Sequence, residues 1–165
     1  MIIVILKLWF LRRTLKMVRD SPLHEITLRK YEKPYDSSKR ELIRKICLSL
    51  GLLQPGDSRD VMVDVLLVLD DVRKEKKELT SFDVVDLVTK KRQEHSLEVK
   101  GIAESNIRRQ LKRLRDLMLV DKKNNLYNIS EFSSLHELFE QKIENFLIPQ
   151  TVGRIKVYLG MLDKQ

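Results

Sequence analysis

The stretch SNIRRQLKRLRDLMLV, residues 105–120, decides the reading of this chain. Stepping about 100° per residue from Ile107, as a helix requires, brings Leu111, Leu114 and Met118 close to one direction, with Leu117 at the shoulder. Ser105, Arg109, Lys112 and Asp116 point the other way, and Arg108, Arg113 and Arg115 flank them. One face is therefore a narrow apolar stripe that must pack on neighbouring helices. The other carries Arg108, Arg109, Lys112, Arg113 and Arg115 against the single acid Asp116.

Downstream, Leu119 and Val120 lead into DKKNN, followed by Leu126, Tyr127, Asn128 and Ile129. Two short apolar stretches joined by Lys-Asn-Asn predict a β-hairpin, because asparagine tolerates positive φ at a tight turn. Lys122 and Lys123 then lie at its tip. Residues 106–123 hold seven cations (Arg108, Arg109, Lys112, Arg113, Arg115, Lys122, Lys123) and two anions (Asp116, Asp121), a local excess of five positive charges.

Upstream, residues 58–77 (SRDVMVDVLLVLDDVRKEKK) form the most apolar helix, wide enough in its apolar face to be buried on more than one side, and capped by Asp57 or Ser58. Asp64, Asp70 and Asp71 read as its solvated side, and its basic ending complements the helix dipole. Thr80 or Ser81 caps a further helix at 82–92, and a polar link covers 94–101. Residues 39–50 make an earlier helix, capped from Asp36, Ser37 or Ser38 and ended by Gly51. Before it, SPLHEITLRKYEKPY (21–35) alternates apolar and polar residues as an extended arm or an edge strand.

Helix, helix, basic helix and small basic hairpin, over residues 58–129, resemble the winged helix-turn-helix regulators of prokaryotic and archaeal type. The resemblance implies a mainly α fold with a β-hairpin wing, extended here by C-terminal helices. It also implies binding of double-stranded DNA in transcription regulation. A major groove admits such a helix, whose N-terminal end reaches bases while its remainder holds register. Ser105, Asn106 and Arg109 are then the residues for bases, and Arg108, Lys112 and Arg113 those for phosphates, with Lys122 and Lys123 adding contacts from the wing. Two departures stand out. Met118 occupies a position where the family often has glycine, and the 94–101 link exceeds the three or four residues of a plain helix-turn-helix. The alternative is a winged-helix adaptor that docks the basic helix on an acidic protein surface.

The 165 residues are 42% hydrophobic and 34% charged, a globular composition, with a formal charge of +8 that favours an anionic partner. A single cysteine, Cys47, excludes an intrachain disulfide and fits a reducing, cytoplasmic setting. Cys47 reads as a small core residue. His24, His95 and His136 show no metal-ligand spacing, and no phosphate loop, nucleophile motif or zinc motif is present. The expectation is a non-enzyme without cofactor.

Four segments result: 1–16, an apolar and basic extension; 17–37, the arm; 38–132, the winged domain; and 133–165, C-terminal helices. The run MIIVILKLWFLRRTLK is too short to span a bilayer and lacks the order of a secretory signal. Two readings stand: a short membrane anchor, or an upstream extension before a start at Met17, the second being favoured. Loss of Lys7, Arg12, Arg13 and Lys16 would take the charge from +8 to +4, leaving the local excess intact. In the C-terminal segment, Leu135, Leu138, Phe139, Ile143, Phe146 and Leu147 form a helical stripe. Val152, Ile155, Tyr158, Leu159 and Leu162 continue it beyond a hinge at Pro149. The stripe either packs on its own domain or makes a homodimer, the latter being the expectation.

Overall fold

The computed structural model describes residues 21–58 and 60–165, so both readings of residues 1–16 lie outside the described residues. The chain is mainly helical with a small three-stranded antiparallel sheet. Helices α1 (Lys39–Ser49) and α2 (Val61–Arg73) precede strand β1 (Leu79–Thr80). Helices α3 (Ser81–Glu94) and α4 (Glu104–Asp116) follow, then strands β2 (Val120–Lys123) and β3 (Leu126–Ile129). A short 3₁₀ turn, Ser130–Phe132, leads to the C-terminal helical run. That run comprises α5 (Leu135–Leu138), π-wound turns over Phe139–Leu147, and α6 (Ile148–Leu162).

Helix starts follow local chemistry. Ser38, Thr80 and Ser134 each accept from the backbone three residues on, while Glu41, Asp83 and Glu137 reach back to the cap, three reciprocal capping boxes. α2 is different: it begins at Val61 rather than at residue 58, and its N-cap, Asp60, makes no side-chain cap bond. The Asp60 carboxylate is occupied elsewhere, by Arg40 and Arg92.

α2 is the centre of the core. Every residue from Val61 to Leu69 is buried, and α1, α3, α4 and β3 all pack on it. Ile43, Cys47 and Leu48 of α1, Val84 and Val88 of α3, and Ile107, Leu111 and Leu114 of α4 complete the cluster. Burial pushes the Cys47 thiol up to about 12, so it stays protonated as a packing residue.

Asp64, expected on the solvated side, is instead 0% exposed. Arg40 Nε donates to its Oδ1 at 2.8 Å, and Arg92 Nη1 bonds its Oδ2. Asp60 bridges the same two guanidinium groups at 2.6 Å and 3.0 Å. Burial alone would raise the Asp60 carboxyl, but the hydrogen bonds from Arg40 and Arg92 outweigh it and hold it below the usual range. Arg92 Nε also donates to the Glu98 carbonyl at 2.7 Å. This charge-balanced cluster ties α1, α2, α3 and the following loop together. Asp70 and Asp71 are likewise engaged: Lys39 reaches both at 2.7 Å, Arg73 meets Asp70 at 3.1 Å, and Lys91 meets Asp71 at 3.1 Å. A helix packed on several sides has little solvated face left, so its acids find cations on the neighbouring helices.

Over its described residues, 21–37, the arm is extended and forms no strand. Its Arg29 serves the C-terminus of α1, where helix carbonyls lack partners. The backbone N–H donates to the Ser49 carbonyl at 2.8 Å, and the guanidinium to the Leu48 and Leu53 carbonyls at 3.1 and 3.2 Å. Gly51 ends α1 as expected, with φ of +69°, and Thr27 of the arm lies directly over it. A Cβ added at Gly51 would stand 2.5 Å from the Thr27 Cβ. Gly51→Ala is therefore expected to cost at least about 2 kcal/mol, combining the left-handed penalty with a displaced arm. Thr27→Gly should recover the steric part. Urea unfolding of both single variants and the pair checks this; additive costs would mean the two residues do not touch.

Beyond α4 the sheet is larger than the expected hairpin. β1 pairs with β3 through Leu79–Tyr127 and Thr80–Leu126, giving the order β1-β3-β2. The expected hinge at Pro149 is not a break. Helical geometry passes from Leu147 to Ile148 with Pro149 in the first turn of α6, where its missing N–H is tolerated. Leu138, Ile143 and Leu147 are buried, so this part of the C-terminal segment packs on its own core.

Candidate nucleic-acid interface

α4 buries Ile107, Leu111 and Leu114, as its stripe requires, and leaves its opposite face in water. Its exit is built without glycine. Met118 itself adopts φ of +58°. Its N–H donates to the Arg115 carbonyl at 2.8 Å, and the Leu119 N–H to Leu114 at 3.0 Å. That is the double closure glycine usually makes. Partial burial of the Met118 side chain against the core offsets the left-handed backbone cost. The closure turns the chain directly into β2, so the hairpin leaves from the C-terminal end of α4.

The hairpin turn is Asn124–Asn125, with φ of +49° and +63°. Two consecutive positive values match the twist of the flanking strands. Val120 pairs with Ile129, and Lys122 faces Tyr127 across the ladder, its Nζ 5.5 Å from the ring centroid. Asp121, the acid beside the two lysines, accepts from Ser130 Oγ at 2.9 Å at the base of the hairpin.

The eight residues singled out in the sequence divide into three groups. Ser105, Arg109 and Lys123 are exposed and make no side-chain hydrogen bond or ion pair among the described residues. Arg115, which the sequence reading did not select, belongs with them. Lys122 is exposed and, among the described residues, held only by the Tyr127 ring. Arg108 and Lys112 are exposed but paired along the helix, with Glu104 at 2.7 Å and Asp116 at 2.9 Å. Such pairs are worth a few tenths of a kcal/mol at most, so a phosphate competes for either cation.

Asn106 and Arg113 face inward to structural partners. Asn106 donates to the Gly101 carbonyl at 2.6 Å and accepts from Gln110 at 2.9 Å, bracing the end of the long link. Arg113 donates to the Gly51 carbonyl at 3.2 Å and to Gln110 at 3.2 Å, fastening α4 to the turn after α1. Neither group is offered to a ligand in this arrangement. The Glu104 carboxylate accepts from Ser81 Oγ at 2.7 Å and from Arg108, so the start of α4 is anchored to the start of α3. Those bonds, Ser81 first, hold the Glu104 carboxyl below its ordinary value.

The link that precedes α4 is thus not loose. Arg92 holds it at Glu98, the Leu97 N–H donates to the Arg92 carbonyl at 2.8 Å, and Asn106 holds it at Gly101. Its length was legible; its anchors were not, because each joins residues whose pairing depends on the packed helices. Among the described residues no group of three or more His, Cys, Asp or Glu side chains could hold a metal ion, and no helix is long and apolar enough to cross a membrane. Compared with known proteins, the chain gives no significant match to any protein family, curated protein or solved structure.

Proposed function

We propose that this protein binds double-stranded DNA as a winged helix-turn-helix regulator, laying α4 in the major groove with the β2–β3 hairpin against the adjacent backbone. One observation carries the reading. Arg109, Arg115, Lys122 and Lys123 are exposed on α4 and the hairpin and free of ion pairs among the described residues. The acids of α4 and β2 are already engaged, Glu104 with Ser81 and Arg108, Asp116 with Lys112, and Asp121 with Ser130. Arg109 and Ser105 lie towards the N-terminal half of the helix, the end suited to base edges. Lysines of the hairpin meet phosphates as point charges. The succession of helix, helix, basic helix and hairpin that underlies the winged-helix resemblance is present, with β1 as a third strand.

The test is a salt titration of the full chain with a duplex of about one and a half turns. Three cations meeting phosphates, Arg115, Lys122 and Lys123, give a slope of about −2.7 in log K against log salt, so affinity should fall about 40-fold between 50 and 200 mM. Absence of binding at the lower salt, or a slope shallower than about −1, would remove DNA as the partner and favour an acidic protein surface.

A further inference from the structure

Beyond Ile148, which packs partly against the core, α6 has no tertiary support among the described residues. None of its fifteen residues is buried. Val152, Ile155, Leu159 and Leu162 stand 43%, 51%, 54% and 65% exposed, and with Ile148 they recur at steps of four, three, four and three. A helix of this length is marginal alone in water, and Gly153 and Gly160 each cost about 1 kcal/mol relative to alanine. A covering partner is needed to hold it.

We infer that the partner is a second copy of this chain, the two α6 helices pairing along the stripe. The 4-3-4-3 spacing is the heptad seam that lets two helices wind around each other. A stripe built this way is complementary to itself. Positions flanking it are Thr151, Lys156, Tyr158 and Asp163, one cation and one anion, so two copies meet no run of like charge. The exposed seam side chains Val152, Ile155, Leu159 and Leu162, with the flanking Tyr158, amount to roughly 500 Å² per copy, about 1,000 Å² for the pair and at the low end of specific interfaces. A helix lying on a membrane would carry a strongly basic polar face. α6 has two cations, Arg154 and Lys156, and Val157 and Met161 stand opposite the seam. The expected dimerisation segment of 133–165 therefore narrows to Ile148–Leu162, because the preceding turns spend Leu138, Ile143 and Leu147 on the core and leave only Phe146 exposed.

The pairing needs no DNA, so the test is separate from that of the basic surface. Light scattering behind size exclusion, with the full chain at about 50 μM and no nucleic acid, is expected to give twice the 19.5 kDa chain mass. Ile155→Glu with Leu159→Glu should give the single mass with cooperative unfolding of the core retained, since neither side chain is buried, while the far-UV helix signal falls as the unpartnered α6 loosens. Val157→Glu, opposite the seam, should remain dimeric. A monomeric parent, or a double variant that stays dimeric, overturns the inference. So does a monomeric parent that sediments with phosphatidylserine vesicles, which would give α6 to lipid.

Discussion

Asp64→Ala is expected to lower folding stability by about 3–5 kcal/mol, as much as truncating a large core side chain. Asp64 is 0% exposed and accepts from both Arg40 and Arg92, so its removal leaves two guanidinium groups sharing Asp60 alone. The buried Arg92 cannot move to water without breaking its bond to the Glu98 carbonyl. The loss comes mainly from the orphaned cations rather than from any large net value of the intact cluster. That distinction has its own measurement. Replacing both ends of the innermost pair with apolar residues of similar size, Asp64→Leu with Arg92→Met, should recover much of the stability in urea unfolding. It should not recover the loop. Without the Arg92 bond to Glu98, amides of residues 95–103 are expected to exchange faster even in the restored variant. A cost below about 1 kcal/mol for Asp64→Ala would show that the cluster is a solvated bystander.

The same cluster explains what the sequence could and could not reveal. Where structure is set by neighbours a few residues apart, the reading comes close: Ser38 is among three cap candidates and Thr80 among two, though the start of α2 is placed too early. Ser38 with Glu41 and Thr80 with Asp83 are local reciprocal caps, and Asn124–Asn125 announces a tight turn whatever the rest of the chain does. The stripe of α4 is equally local. Asp64, by contrast, pairs with residues 24 and 28 positions away. Periodicity carries no information about such partners. One signal was present: an acid inside VMVDVLLVL, a run apolar all round, has no water to face and must be paired. β1 was invisible for another reason. Two residues show no alternation, and Leu79 and Thr80 are a strand only because β3 offers them a ladder. On the candidate surface, side-chain type located the basic helix but could not separate Arg113, which ties down α4, from Arg109, which points into water.

That separation gives the sharpest test of the basic surface. Arg109→Ala combined with Lys123→Ala is expected to weaken duplex binding about 10- to 100-fold near 100 mM salt and to make the salt slope shallower by about one, the share of Lys123. Thermal stability should hardly change, since neither side chain pairs within the described residues. Arg113→Ala should do the reverse. It loses the bonds to Gly51 and Gln110, so stability falls by about 1–2 kcal/mol while the salt slope stays near that of the parent. Asp116→Ala moves binding the other way: freeing Lys112 from its 2.9 Å partner should tighten binding a few-fold and steepen the slope by up to about one. A merely solvated basic face would show none of this ordering. Three variants with the parent's affinity and slope would leave α4 as a packing helix and move the search for a ligand to another surface.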